Sequence, residues 1–337
     1  MEKANCRHKN QHLTYFIAPI YNVNVDETLL GKSFAGFKIL LNETIFQKYS
    51  KELYYPDDLF QDIENAKGGM LIKRPTARYV FFKKLYLHNG YNEEINNKNN
   101  MIIENETENL TNLIVAMRLL KSGNIHINRV YILGKVEHHS FNLPISSFLD
   151  AMNNSFIDNK DYNFWNNYEI SKKDLNNTLK IKNNLTKCYR NLWLPISYFM
   201  SYYKTPNLTD KLIRLCTIWE ATLLNDCKNE LNYRLIVRGS AFLERNLSDV
   251  FKIAYEIRSK LLHTGTIPNL TKLANLIKVE DKTDISKIFI FLKDYLEPIT
   301  REIINKFMIN YIKTGKNLKH LSESIDEIIL KKLSQKG

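Results

Sequence analysis

Apolar and polar positions in the first 150 residues fall in short runs with partial alternation. LTYFIAPIYNV (13–23), FAGFKILLN (34–42), ARYVFFKKLYL (77–87) and NRVYILGKVEHH (128–139) are rich in β-branched and aromatic residues. Such runs predict strands. ENLTNLIVAMRLLKSGN (108–124) sets Leu110, Leu113, Ile114, Met117, Leu119 and Leu120 on one broad face, with Gly123 as a stop. That spacing predicts an amphipathic helix. The polar stretch 88–107, dense in Asn and Glu, reads as a loop insertion, and a second polar region, 153–184, reads as a separator.

From Leu192 onward the period becomes helical. Asn207 or Thr209 can cap a helix running through Trp219 to about Leu224. The next begins at Asn229 or Leu231 and carries Arg234 and Arg238, four apart on one face. Ser248 reads as the cap of a third, whose Val250, Phe251, Ala254, Tyr255, Ile257, Leu261 and Leu262 form a wide apolar surface. Thr283 or Asp284 opens a long helix to Thr314, with Pro298 as an expected kink, and LSESIDEIILKKLSQK (321–336) follows as a short amphipathic helix. The fold class expected is α+β. A strand-rich mixed α/β domain at 1–190 precedes an all-α helical bundle at 191–337.

Composition sets limits on this picture. At 337 residues the chain holds two domains and a sizeable core. No run approaches the 18 apolar residues of a membrane span, and the N-terminus lacks the apolar region of a secretory signal, so a cytoplasmic protein with no membrane partner is expected. Cys6, Cys188, Cys216 and Cys227 form no C-x-x-C pair, which suits reduced structural thiols. Cys6, His8 and His12 can be sketched as metal ligands, but a polar terminus explains them equally, and neither metal nor cofactor is expected. The net charge of +12 is spread over both halves rather than gathered in a tail. A diffuse basic surface suits an RNA backbone, and an AT-rich codon bias toward Lys produces the same excess.

The chemistry concentrates in YEIRSKLLHTG (255–265). Arg258 and His263 stand five positions apart at the end of an apolar helix. Arginine holds a phosphate through its planar fork, and histidine moves protons near neutral pH. The alternative is a helix C-terminus, where cations are favoured by the dipole and Gly265 supplies the left-handed stop. Beyond residue 150 the only other histidine is His320, in a Lys-rich turn that reads as solvated surface. His138 and His139 are adjacent on a strand and point to opposite faces, which disfavours a shared metal.

This stretch resembles the Arg-x4–6-His motif of the HEPN superfamily. The resemblance extends upstream through IWEATLLND (218–226) and LNYRLIVRGSAFLE (231–244), and covers about residues 195–310. It is similar to the ApeA-like HEPN subfamily at Trp219, Glu220, Tyr233, Arg234, Leu235, Arg238, Tyr255, Arg258, Ser259 and His263. Many HEPN nucleases carry Asn, Asp or His directly after the motif arginine. Ser259 stands there instead, and Thr264 separates His263 from Gly265.

The resemblance implies a HEPN helical bundle acting as a metal-independent endoribonuclease, a hydrolase-class nuclease of antiviral (phage) defence that cuts cellular RNA such as tRNA. Arg258 and His263 would be its catalytic residues. Ser259, Tyr255 and Glu220 would support them, and Arg234, Arg238 and Lys260 would contact RNA. A homodimer through the helical domain and a phage-derived trigger at the N-terminal domain are also implied. The alternative, kept open by Ser259, is an inactive HEPN module that dimerises and binds RNA or protein.

Overall fold

A computed structural model of the chain describes residues 11–21, 23–49, 77–90, 92–123, 125, 127, 129–134, 138–142, 168–205, 207–227, 229–266, 269–277, 284–315 and 318–334. The chain is α+β: a strand-rich N-terminal part is followed by a mostly helical C-terminal part. It forms two compact units, one of residues 1–118 and 123–179, the other of residues 119–122 and 180–337. The division at 179–180 lies inside a continuous helix, earlier along the chain than residue 190.

The first unit runs β1 (Gln11–Ile20), β2 (Val23–Val25), a short 3-10 turn (Glu27–Leu29), β3 (Ser33–Phe34), β4 (Phe37–Leu41), α1 (Asn42–Tyr49), β5 (Tyr79–His88), α2 (Glu93–Leu120), β6 (Arg129–Leu133), β7 (His138–Asn142) and β8 (Tyr168–Ile170). Six strands form an antiparallel sheet in the order β3-β4-β5-β1-β6-β7, and β2 pairs with β8 in parallel. β1 is buried on both faces, which explains why its apolar run is nearly continuous rather than alternating. On one face Tyr15, Ile17, Val80, Phe82, Tyr131 and Leu133 pack with Ile45 of α1. On the other, Phe37 lies 5.6 Å from the ring of Phe16 and 6.0 Å from that of Phe81.

Residues 88–107 correct the sequence reading, because most of that stretch is the first half of α2 rather than a loop. Asn92 caps it by accepting the Ile95 N–H, and Glu94 and Lys98 pair one turn apart. Its inner stripe mixes polar residues with Ile95, Ile102 and Ile103, which hid the helical period. Asn99 accepts the N–H and donates to the carbonyl of His88, Glu106 pairs with Lys83 at 2.6 Å, and Asn109 donates to the Ala35 carbonyl. The separator 153–184 is corrected in part as well. Its residues from Tyr168 belong to β8 and to α3 (Lys172–Lys204), while 153–167 lie outside the described residues.

The second unit contains the rest of α3 from Lys180, then α4 (Leu208–Leu223), α5 (Leu231–Leu243), α6 (Ser248–His263), α7 (Leu270–Ile277), α8 (Ile285–Thr314) and α9 (Leu318–Ser334). Asn207 caps α4 and Asp284 caps α8, each through its side-chain oxygen. Ser248 is not the cap of α6. Asn246 accepts from both the backbone N–H and the hydroxyl of Ser248, because an Asn two residues earlier reaches the first free N–H better. The chain passes through Pro298 without ending α8. The helix α7, with Asn269 accepting the Lys272 N–H, was not expected from the sequence.

Trp219 of α4 is the centre of this bundle. It is fully buried, its ring packs edge-on against Phe251 of α6 at 4.8 Å, and its indole N–H donates to Thr300 of α8 at 2.8 Å. α5 closes on α6 at Gly239. A Cβ there would stand 2.3 Å from the Phe251 ring, so the helices meet this closely only because the side chain is absent. About one turn before Thr300 on α8, the buried Glu297 accepts from the hydroxyls of Tyr202 and Tyr203 and from Arg301. Every polar tip in that cluster has a partner, which makes its burial tolerable.

Candidate active site on helices α4 and α6

α6 is regular through His263. Thr264 donates its backbone N–H to Lys260, and Gly265 follows with φ of 63°. The expected left-handed stop is therefore present. Arg258 and His263 lie on an unbroken helix, and five positions turn about 500°, leaving them roughly 140° apart around the axis. Unwinding does not bring them together.

A carboxylate from α4 pairs with the arginine. Glu220 Oε2 is 3.3 Å from Arg258 Nη2, with the two side chains 14% and 25% exposed. Burial raises the Glu220 carboxyl above its ordinary range, and the charges of Arg258 and then His263 pull it back. Trp219, next to Glu220, anchors α4 against α6 and α8, so the carboxylate has a fixed base. One turn earlier, the thiol of Cys216 is buried, and desolvation drives its pKa far up, leaving it inert. Cys216 was read from the sequence only as a structural thiol; its place beside Glu220 on α4 follows from their spacing of four.

Arg238, expected as an RNA contact, and Arg258, expected as a catalytic residue, have different surroundings. Arg238 is 1% exposed, and its guanidinium donates to both oxygens of Asp226, both oxygens of Asp326 and the Leu223 carbonyl at 2.6–2.9 Å. It is not an RNA contact: burial and two carboxylates occupy its donors, and it ties α5 to α9 and to the loop after α4. Arg258, by contrast, meets one carboxylate; its buried Nε lacks a hydrogen-bond acceptor among the described residues, and Glu220 Oε1 lacks a donor there. Its donor capacity is largely unused.

The remaining expected site residues fall as follows. Tyr255 and Ser259 are half-buried on α6, while Lys260 and His263 are exposed. Arg234 is 41% exposed, lies 3.9 Å from Glu230 and from Asp326, and donates weakly to the Cys227 sulfur. His320 is exposed and pairs with Glu323. Cys6 and His8 lie outside the described residues, and His12 hydrogen-bonds Asn89. His138 and His139 lie on β7. No helix among the described residues is long and apolar enough to cross a membrane. No family model, no curated protein and no solved structure matches this chain.

Proposed function

We propose that this chain is a metal-independent endoribonuclease of the HEPN type, with α4 and α6 carrying its active site. The observation that carries the reading is the contrast between Arg238 and Arg258. One guanidinium is consumed by structure, whereas the other is partly exposed, braced by one carboxylate, and shares its helix with an exposed histidine.

In this mechanism His263 removes the proton from a ribose 2′-hydroxyl, and the oxygen attacks the adjacent phosphorus. The P–O5′ bond breaks and the departing 5′-oxygen takes a proton from the imidazolium form of His263, giving a 2′,3′-cyclic phosphate and a 5′-hydroxyl. Arg258 holds the non-bridging oxygens as charge builds on them. Glu220 fixes the rotamer of Arg258, which limits the reorganisation needed at the moment of reaction. Ser259 offers a hydrogen bond but no proton transfer at neutral pH. Since the two motif side chains diverge on one helix, a two-fold dimer supplies the facing copy, with a composite cleft between two α6 helices. A free ribonuclease would poison its host, so the N-terminal unit is assigned the role of latch in phage defence, acting in the cytoplasm on RNA such as tRNA.

The test is expression in cells beside Arg258→Ala and His263→Ala, with circular dichroism and sedimentation on each protein. The active reading predicts arrested growth and cut tRNA for the wild type under its trigger, both lost in folded, dimeric variants. Wild type and variants that bind RNA alike and never cut it would instead identify the inactive binding module.

A further inference from the structure

Among the described helices, α3 has the longest run without an acidic residue. From Leu175 to Lys204 it carries Lys180, Lys182, Lys187, Arg190 and Lys204 and not one Asp or Glu. In the same stretch two large aromatic side chains face solvent: Trp193 is 56% exposed and Tyr189 is 42% exposed. They are four residues apart, so they lie on one side of the helix and one turn apart. At about 100° per residue the exposed positions run in the order Tyr189, Trp193, Arg190, Lys187 around that side, an aromatic edge beside a cationic one. Lys180 extends the cationic edge by two turns below Lys187. Lys180, Lys187 and Arg190 form no ion pair among the described residues.

We infer that this face of α3 is a platform for single-stranded RNA. Unpaired bases stack on Trp193 and Tyr189, and the phosphates follow Arg190, Lys187 and Lys180. A membrane-surface helix needs a continuous apolar face free to enter the bilayer, whereas the apolar face of α3, with Leu185, Leu192, Ile196 and Phe199, is already buried in the protein and the outer edge offers two isolated rings. Base stacking is insensitive to sequence, and a backbone beside a cation row supplies the salt-dependent remainder of the affinity. The aromatic rings also explain why the strand is unpaired: in a duplex the base faces are covered by their neighbours. The core side of the helix fixes the platform. Leu185, Leu192, Ile196 and Phe199 are buried, and Asn191 donates to the Tyr311 hydroxyl at 2.8 Å.

This inference deepens the ribonuclease reading by naming an unpaired RNA strand as the form bound, but it is tested apart from cleavage. Full-length His263→Ala protein is titrated into a fluorescein-labelled 12-nucleotide oligouridine and, separately, a blunt RNA duplex of equal length. Adding Trp193→Ala is expected to weaken oligouridine binding about tenfold, with Trp193→Phe close to the parent and duplex binding changed less than about twofold. Because Trp193 is exposed, truncation leaves the fold intact, which circular dichroism verifies. Unchanged oligouridine affinity, or an equal loss for the duplex, would overturn the platform. So would a drop in sedimentation mass with Trp193→Ala, since the face would then serve self-association. Failure of the nuclease reading appears elsewhere, as RNA cleavage that does not depend on His263.

Discussion

At the residue scale, burial and pairing set Arg238 apart from the other arginines of the expected site. Arg238→Ala is expected to cost about 3 kcal/mol, because it leaves two carboxylates facing a vacated pocket, and Arg238→Lys should recover little, since an ammonium cannot grip both. Denaturant melts measure both. The partners titrate in a defined direction. Hydrogen bonds from Arg238 hold the Asp226 carboxyl below its usual 3.8. A depressed folded-state value gives stability that is full above the ordinary carboxylate range and lost as pH falls through the depressed value. Stability of the parent should therefore fall as pH drops below about 3.8, and Asp226→Asn should flatten that slope. Glu220 runs the other way. Its raised carboxyl loses stability as pH rises from the ordinary range through the raised value, and Glu220→Gln should remove that loss. The same substitution should reduce RNA cleavage about tenfold, because Arg258 keeps its charge and loses its brace. The motif residues Arg258 and His263 were visible from sequence spacing. The partners of Arg238 were not, because Asp326 lies 88 positions away from it.

At the element scale, the helical half was legible wherever the stripe turned toward the core is apolar. α4, α5, α6 and α8 follow that rule, and Asn207 and Asp284 cap where capping chemistry placed them. The first half of α2 was hidden because Asn99 and Glu106 share its half-buried inner stripe with Ile95, Ile102 and Ile103 and break up the apolar period. α7 is only eight residues long, too short for its period to stand out. The α5–α6 crossing offers a test of the packing. Gly239→Ala is expected to destabilise by about 1–3 kcal/mol, since a new methyl meets a buried ring that has no room to withdraw. Combining it with Phe251→Leu should cost less than the sum of the two single changes, as thermal melts of the four proteins will show. Additive costs would mean that the ring is not what excludes the side chain.

At the scale of the whole molecule, a strand-rich unit and a helical unit share one helix, α3, along which the chain passes from one to the other. The sequence showed both halves and their order. It did not show that polar residues 172–184 continue into the second unit as helix, because Asn and Lys dominate there and leave few apolar positions to carry a period. The positive charge of +12 predicts that RNA affinity falls steeply with salt, and a binding series from low to physiological ionic strength checks it. The account rests most heavily on His263 as the base that activates a 2′-hydroxyl. The decisive measurement is end-group analysis of RNA cut in EDTA, on a substrate that carries one 2′-deoxy nucleotide at the mapped cleavage position beside its all-ribose control. Cyclic phosphate and 5′-hydroxyl ends from the control, with no cut at the deoxy position and none by His263→Ala, are predicted. Cutting at the deoxy position, 5′-phosphate ends, or undiminished cutting by His263→Ala would contradict it.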